Sequence, residues 1–545
     1  MRKLSAVTVT AVMAGLAAAP AADASRTYVV LSARGASHAE FVRAIHRSGG
    51  RIVRENRRIG LATVVSRSRS FATRAARTRA LAGAAANRAI GAVPKTPASR
   101  ALESERGPVM SAPLTVHAAA EPGGEPLSAG QWDMRMMHAT PEGSYGTQPG
   151  SHDVRVGIID TGIDGSHPDI APNFDSALSR NFTRDDPVID GDCASDPDGS
   201  CDDPGNVDED GHGTHVAGTI GAPLNGTGIG GVAPGVDLVN LRAGQDSGFF
   251  FLQPTVDALT YAGDNGVDVV NMSFYIDPWL YNCRKNKADS PAEQEQQRTI
   301  IDATQRALDY ARKRGVTLVA ALGNENTDIG HPTFDDTSPD YPPDTARERD
   351  VDNGCIDMPT EGKGVIGVSA LGPSGRKSYY SNYGTEQTDV SAPGGDRREF
   401  YGTDRYNAPD TRILAPMPAG VAQQELADDP SNPLIVRDCT GTCAYYQWLQ
   451  GTSMAAPQVV GVAALIVAQY GSMDPANPGL TLDPDRVQRI MARTATDHAC
   501  PDQNPFVYDD PALGPEFNAE CHGGTGDNGF YGKGIVDALG AVSGS

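Results

Sequence analysis

Five near-continuous apolar runs, separated by segments of helical character, most constrain how the central part of this chain can fold. The runs lie at 154–160, 236–241, 267–273, 316–322 and 364–370. Helical segments lie between several of them, at 213–221, 254–264 and 298–314. Runs that are apolar along their whole length are typical of parallel strands covered on both faces. The sequence therefore predicts a doubly wound α/β domain with a mostly parallel sheet, whose site lies at the carboxyl ends of the strands.

Three short strings combine chemically useful side chains with small neighbours. They are V-G-I-I-D-T-G-I-D-G at 156–165, D-G-H-G-T-H-V-A-G at 210–218 and Q-G-T-S-M-A-A-P at 450–457. They supply Asp160, His212 and Ser453 in that order. A serine hydroxyl is a weak nucleophile unless an imidazole takes its proton and a carboxylate orients the imidazole. These three residues therefore suit nucleophilic catalysis.

The three strings resemble the signatures of the subtilisin-like serine proteases, and the resemblance extends from about 130 to about 543. It implies a secreted serine endopeptidase that acts on proteins or peptides and is made as a zymogen. By the same resemblance Asp160, His212 and Ser453 form the catalytic triad. The segment A-L-G-N-E-N at 321–326 implies that Asn324 donates to the oxyanion.

Two other functions remain open from the sequence. A secreted binding protein on the same scaffold would keep the fold without the activity, although the complete triad speaks against it. A metal-dependent hydrolase could use His212 and His215, but the H-x-x-x-H spacing with a Glu base is absent. The resemblance makes His215 a structural neighbour of His212.

The chain departs from the family pattern beside the expected substrate groove. Family members usually continue Leu-Gly after the strand ending at Ser273, whereas this chain has Phe274 and Tyr275. These aromatic side chains should reshape the substrate subsites. An aspartate-rich stretch at 185–210 lies just before His212. Three long segments are expected to be irregular surface insertions: 275–300, 325–360 and 396–446.

The N-terminal region differs sharply in charge from the rest of the chain. Residues 1–24 are typical of a secretory signal peptide, with a basic start, an apolar run and an Ala-Asp-Ala end. Residues 25–120 hold 17 basic and 4 acidic residues, whereas 121–545 hold 27 and 63. This complementarity predicts that the basic segment docks on the acidic remainder.

The segment 25–120 resembles the family's small α+β inhibitor prodomain. We expect a strand, an amphipathic helix and two further strands in 26–65, a helix in the Ala/Arg-rich stretch 71–90, and a processing linker at 95–128. The implied organisation is a signal peptide at 1–24, a propeptide at 25–120 and a peptidase domain at 121–545. The propeptide would act as an intramolecular inhibitor of the enzyme.

All eight cysteines lie beyond residue 190, and an even number in an exported chain argues for disulfides. The simplest pairing joins neighbours, although the sequence leaves the connectivity open: Cys193–Cys201, Cys283–Cys355, Cys439–Cys443 and Cys500–Cys521. Cys439 and Cys443 could also form half of a zinc site, but no second half with suitable spacing is present.

The chemistry expected here requires no cofactor. The resemblance implies a structural Ca²⁺ held by Asp169 and Asn225, with a glycine-rich turn beside a surface aspartate as the alternative. No nucleic-acid recognition motif accompanies the basic segment. We expect a monomer without membrane attachment once the signal is removed.

Overall fold

The computed structural model describes residues 26–87, 102–106 and 124–544, apart from 188, 196–198, 342–344 and 440–442. The expectation of a signal peptide at 1–24 and most of the linker expected at 95–128 lie outside the described residues. The described chain forms a small N-terminal sheet unit and a large α/β unit that pack against each other.

The N-terminal unit is a four-stranded antiparallel sheet backed by helices. Its strands in spatial order are Arg51–Asn56, Leu61–Ser66, Arg26–Ser32 and Leu81–Asn87. Its helices are His38–Arg47 and Phe71–Ala75. Ser37 and Glu40 form a capping box at the start of the first helix. The strands and the helix expected in 26–65 are therefore confirmed.

The helix expected over 71–90 is wrong. Only Phe71–Ala75 is helical, and Leu81–Asn87 is a strand paired with the first strand. The small side chains let this strand lie against the long helix Pro291–Arg312, where a Cβ on Gly83 would come within 2.5 Å of Thr299 Oγ1. The Ala84 N–H donates to Glu295 Oε1 at 3.3 Å. Tertiary pairing overrides the helical propensity of alanine here.

A seven-stranded parallel sheet forms the centre of the large unit and confirms the predicted fold class. Its strands in spatial order are Val390–Pro393, Val365–Leu371, Thr317–Ala321, Val269–Met272, Arg155–Ile159, Asp237–Arg242 and Arg180–Asn181. The five apolar runs all supply strands of this sheet. Nearly all of their residues are buried, as expected for strands covered on both faces.

Helices cover both faces of this sheet. They are Trp132–Met136, His212–Gly221, Leu252–Asp264, Pro291–Arg312, Thr452–Tyr470, Pro484–Thr494 and Ala538–Val542. The helix Thr452–Tyr470 is long and apolar enough to cross a membrane by length and composition. However, 89% of its most apolar 18-residue window is buried inside the protein, which is typical of a core helix.

All three segments expected to be irregular contain regular elements, although those of 325–360 are only two-residue strands. The segment 396–446 holds the helix Ala419–Asp428 and supplies strands of a three-stranded antiparallel sheet. The sheet's strands are Ile413–Met417, Ala444–Leu449 and Ile435–Asp438. The long helix Pro291–Arg312 begins within 275–300, at a capping box formed by Ser290 and Glu293. The first residues of this helix have a low mean hydropathy, so the apolar pattern predicted the helix only from residue 298.

Short two-stranded ribbons complete the described elements. They are Asn282–Cys283 with Cys355–Ile356, Phe334–Asp335 with Arg349–Asp350, Ser472–Met473 with Leu480–Thr481, and Gly523–Gly524 with Asp527–Asn528. All eight cysteines are bridged in the neighbour pairing expected above. Cys439 and Cys443 are bonded to each other, so they are not a zinc half-site.

Candidate active site

Asp160 and His212 are in direct contact at the carboxyl edge of the parallel sheet. Asp160 directly follows the strand Arg155–Ile159, and His212 is the first residue of the helix His212–Gly221. Nδ1 of His212 lies 2.7 Å from Oδ1 of Asp160, and both side chains are buried. The same carboxylate oxygen accepts the Thr161 N–H at 2.8 Å. The carboxylate therefore holds the ring in one orientation.

Glycines and a buried aspartate place His212 at the start of its helix. Gly211 has φ +100°, a left-handed conformation that favours glycine. A Cβ on Gly213 would come within 2.0 Å of the Gly162 carbonyl oxygen. Asp208 accepts the Gly211 N–H and the Thr214 N–H at 2.9 Å each, which satisfies donors at the helix start.

Ser453 lies in the first turn of the helix Thr452–Tyr470, beside Asn324. Oδ1 of Asn324 accepts both the N–H and the hydroxyl of Thr452, each at 2.9 Å. Because the amide oxygen is the acceptor in both bonds, the amide nitrogen remains to donate. Ser453 and Asn324 line one pocket together with Glu103, and Glu103 Oε2 lies 3.5 Å from His212 Nε2. Ser453 and Asn324 therefore line one pocket, and Glu103 lies between this pocket and the His212–Asp160 pair.

His215 lies on the same helix but is used differently. Its ring is buried, and Nε2 lies 3.1 Å from the Gln447 carbonyl and 3.2 Å from the Ile413 carbonyl, to which it donates. Burial lowers the pKa of His215 to about 4, so the ring is neutral near pH 7. These contacts fit the structural role expected for His215.

Known proteins are similar to this chain both in sequence and in fold. A sequence model of the subtilase family matches residues 151–534. The chain belongs to the subtilase family. The match extends from just before the strand that precedes Asp160 to beyond the Ser453 helix, and this subtilase is a serine-type endopeptidase.

Individual relatives of this subtilase include several bacterial serine proteases with fewer than 30% identical residues. It is 27% identical to subtilisin DY of Bacillus licheniformis over 71% of this chain and 90% of that protein. It is 28% identical to the epidermin leader peptide-processing serine protease EpiP of Staphylococcus epidermidis, over 65% of this chain and 68% of that protein. The chain spans only 53% of the thermophilic serine proteinase of Bacillus sp. strain AK1, at 29% identity.

Solved structures show the same fold. The crystal structure of EpiP from Staphylococcus aureus superposes with a TM-score of 0.61 at 20% identity, covering 95% of this chain and 98% of that one. Fervidolysin from Fervidobacterium pennivorans superposes with a TM-score of 0.55 at 19% identity, covering 96% of this chain and 61% of that one. Both superpositions extend beyond the region that the family model matches.

Phe274 and Tyr275, the departure noted in the sequence, line the pocket beside Ser453. The ring of Phe274 stacks on Phe250 with centroids 4.0 Å apart and planes 3° apart. The Tyr275 hydroxyl donates to Asp340 Oδ2 at 2.6 Å. The first residue thus builds an aromatic wall, and the second is anchored to a loop that follows the strand Phe334–Asp335.

The residues expected to bind calcium lie together in this subtilase. Asp169 Oδ2 accepts the Ile229 N–H at 3.0 Å and the Tyr446 hydroxyl at 2.8 Å. Asn225 Nδ2 donates to the Pro168 carbonyl at 3.1 Å. Burial raises the pKa of Asp169 to about 7, although the donors from Ile229, Tyr446 and Asn225 oppose this.

The aspartate-rich stretch contributes to a buried ion cluster that the sequence did not indicate. Arg242 is fully buried and pairs with Asp185 at 2.8 Å, with Asp246 at 2.9 Å and with Asp203. The three carboxylates lie within 4.8 Å of one another. Because the guanidinium already contacts all three, we assign the cluster a structural role.

Proposed function

We propose that this subtilase hydrolyses peptide bonds through an acyl-enzyme on Ser453, with His212 as general acid and base and Asp160 as the residue that orients His212. The contact between His212 Nδ1 and Asp160 Oδ1 carries the proposal. It requires Nδ1 to hold a proton, which leaves Nε2 of a neutral ring as the base. Ser453 lines a pocket with Glu103, whose Oε2 lies 3.5 Å from Nε2 of His212, and this supports the proposed pairing.

The steps follow from these roles. Ser453 Oγ attacks the peptide carbonyl carbon while its proton passes to Nε2 of His212, and the carbonyl oxygen becomes an oxyanion. The C–N bond then breaks, and His212 gives its proton to the leaving amine. Water loses a proton to His212 and attacks the acyl carbon. Breakage of the ester bond releases the carboxylic acid and returns a proton to Ser453 Oγ.

Asn324 and the N–H of Ser453 are proposed to stabilise the oxyanion. The Asn324 amide is held by its two bonds from Thr452, so its remaining donor is fixed before substrate binds. Ser453 lies in the first turn of its helix, where N–H groups are unused by the helix and carry partial positive charge. Fixed donors of this kind stabilise developing charge without reorganisation.

The segment 102–106 supports a zymogen in which the N-terminal region inhibits the enzyme. The Glu103 carbonyl accepts the Gln450 N–H at 3.2 Å, while its carboxylate lies beside His212. Glu105 pairs with Arg397, accepts the Tyr379 hydroxyl at 3.1 Å and lies 3.7 Å from Arg398. These contacts support a precursor in which this segment occupies the substrate cleft.

Charge complementarity also joins the N-terminal sheet to the large unit. Arg54 pairs with Asp257 at 2.6 Å, and Arg58 pairs with Asp264 at 2.8 Å. Both partners lie on the helix Leu252–Asp264. These contacts support the proposal that 25–120 is a propeptide that docks on the peptidase domain 121–545 and is later removed.

A structural Ca²⁺ beside Asp169 is also proposed, because the residues present fit a hard cation. Oδ1 of Asp169 and Oε2 of Glu125 are buried and have no hydrogen-bond partner among the described residues. Oxygen donors of this kind are what Ca²⁺ prefers. Asp169, Asn225 and Glu125 would hold the ion, which would tether two loops without taking part in the reaction. Sequence reasoning missed Glu125.

Export and a monomeric state complete the proposal. Four disulfides in one chain are typical of an oxidising compartment, and the first 24 residues match a secretory leader. The substrates are then extracellular proteins or peptides.

Replacement of the nucleophile tests the function directly. Full-length Ser453→Ala is compared with Ser176→Ala, which changes an exposed serine. We expect Ser453→Ala to fold but to lose casein cleavage and N-terminal processing, with a fall of about 10⁶ in turnover. Retained cleavage in Ser453→Ala would overturn the proposal. Activity that resists a serine-directed sulfonyl fluoride but is lost with a chelator would favour a metal-dependent hydrolase. A folded wild type that binds but never cleaves would favour the binding protein.

A further inference from the structure

The pocket beside Ser453 combines apolar side chains with several acidic ones. It runs from Ser453 and Asn324 past the stacked rings of Phe250 and Phe274 and is also lined by three carboxylates of the large unit. These belong to Asp277, Glu325 and Asp357. None of the described residues that line this pocket is basic. A side chain that enters it from the reacting carbonyl therefore meets an apolar wall and negative charge.

Asp357 is a buried carboxylate with an oxygen that lacks a hydrogen-bond partner among the described residues. The residue is only 3% exposed, and its Oδ1 has no hydrogen-bond partner among the described residues. The backbone N–H of Asp357 donates to Glu361 Oε2 at 2.7 Å, so a second carboxylate lies next to this residue. Burial, together with Glu361 and Glu325, raises the pKa of Asp357 well above its usual range. A buried carboxylate in this position lacks a cation.

The other two carboxylates already have partners within the protein. Glu325 directly follows Asn324 in the chain. Its Oε2 accepts an N–H of the Asn382 side-chain amide at 2.7 Å, and this bond holds the carboxylate in place. Asp277 shares a hydrogen bond with Asp340, and Asp340 also accepts the Tyr275 hydroxyl. Burial beside Asp340 raises the pKa of Asp277 well above its usual range. Two adjacent buried carboxyls are stable when they share a proton, so Asp277 contributes less negative charge.

We propose that this pocket binds the side chain that precedes the scissile bond and selects arginine or lysine there, with Asp357 and Glu325 as the partners of its charge. The inference rests on the proposed function. Arginine and lysine combine an apolar stem with a cationic end. The stem suits Phe274 and Leu280, and the cationic end suits the carboxylates. A planar guanidinium can also bond two carboxylates at once, so arginine should be preferred.

The chain itself offers such residues between its N-terminal sheet and the segment 102–106. Between the strand that ends at Asn87 and the segment 102–106, the sequence has Arg88, Lys95 and Arg100 and no acidic residue. If the pocket selects a basic side chain, a first processing cut by the enzyme itself would follow one of these three residues.

Peptides that differ only in the residue before the scissile bond test the proposal. The processed enzyme is offered Arg, Lys, Leu, Phe and Glu at this position, and kcat/KM is measured for each. We expect Arg to exceed Leu by at least about 100-fold, with Lys between them. A desolvated charge pair lost on one side typically costs this much or more. Comparable cleavage after Arg and Leu would overturn the inference and leave the peptidase function standing. Cleavage of none of the peptides, with casein also intact, would instead overturn the function.

Variants separate the pocket charge from general damage. Asp357→Asn and Glu325→Gln keep side-chain shape, while Asp336→Asn removes an exposed carboxylate as the matched control. We expect Asp357→Asn to lower kcat/KM for the Arg peptide about 100-fold and to change the Leu peptide by less than about threefold. Equal losses on both peptides would overturn the inference, because a merely structural role gives that result. A melting curve checks that each variant is folded.

Benzamidine, a small planar cation, gives a readout that does not need turnover. Calorimetry should show that it binds the processed enzyme and that Asp357→Asn weakens its binding at least about tenfold. Equal binding by the two proteins would overturn the role of Asp357. N-terminal sequencing of the first cleavage product that appears during processing should show a new terminus that follows Arg88, Lys95 or Arg100.

Discussion

Glu103 Oε2 lies 3.5 Å from His212 Nε2, on the ring edge opposite the one that Asp160 Oδ1 contacts at 2.7 Å. Each nitrogen of the His212 imidazole therefore lies beside a carboxylate. The nitrogen proposed to act as the base is the one that Glu103 approaches. In this position Glu103 competes with Ser453 for the nitrogen that is proposed to take the serine proton.

Removal of the Glu103 charge should weaken this inhibition. We expect Glu103→Gln to process itself about tenfold faster than the wild type at pH 7, because a hydrogen bond or ion pair to a charged group contributes about 1.5–3 kcal/mol. The measurement is the rate at which the precursor band disappears on a gel. Glu142→Gln, at an exposed site, serves as the control. A rate equal to that of the control would show that Glu103 does not inhibit.

Acid should loosen the segment 102–106 from the cleft. Burial alone would raise the pKa of Glu105, but its bonds to Arg397 and Tyr379 and the charge of Arg398 hold the pKa below its usual value. A group with a lowered folded pKa stabilises docking above its free pKa and loses that effect as the pH falls through the folded pKa. We expect amide hydrogen exchange of 102–106 in Ser453→Ala to quicken below about pH 4. In Arg397→Ala the exchange should already be fast at pH 7. Slow exchange in that variant would contradict the role of the pair.

Loss of the proposed oxyanion donor should slow the chemical step. We expect Asn324→Ala to lower kcat by about 10²–10³ and to leave KM within a few-fold, since the donor acts on charge that develops only in the transition state. Steady-state kinetics on one peptide substrate checks this. A large rise in KM with kcat unchanged would place Asn324 in substrate binding instead.

The buried cluster around Arg242 should be critical for stability. Arg242→Met leaves three carboxylates in the interior without their cation, and we expect a loss of about 3–5 kcal/mol in the free energy of unfolding. The control is Arg284→Met, which breaks an exposed pair with Asp302 and should cost less than about 1 kcal/mol. Denaturant unfolding measures both variants. If both variants lost similar amounts of unfolding free energy, the charge of Arg242 would not be what stabilises the buried cluster.

Calcium should stabilise the fold most clearly at neutral to alkaline pH. The pKa of Asp169 is raised to about 7, so the folded state holds its proton more tightly than the unfolded chain. In a chelator this group therefore favours the fold at low pH, and that stability is lost as the pH rises from about 4 to about 7. We expect added Ca²⁺ to raise Tm by several degrees at pH 8 and to have little effect at pH 5. Asp169→Asn should abolish the increase, and an increase that persists in this variant would place the ion elsewhere.

Local sequence was sufficient for the features that depend on local chemistry. The apolar runs predicted the parallel sheet, because strands buried on both faces must be apolar throughout. The disulfides joined neighbouring cysteines, as the simplest pairing expected. The helix over 71–90 was wrong because Leu81–Asn87 pairs with the strand Arg26–Ser32, about 50 residues earlier, and propensity does not register such a partner.

The sequence by itself determined which residues can perform the chemistry: Asp160, His212, Ser453 and Asn324 each stand in a short string that fixes the residue type and its small neighbours. Only the tertiary structure decided what surrounds them. Glu103 and Asp357 reach the pocket, and Arg397 reaches Glu105, from separate segments of the chain, and each is ordinary in its own sequence context. Their effect depends on burial and on distances of a few ångströms to other charges, and these exist only after the chain has folded.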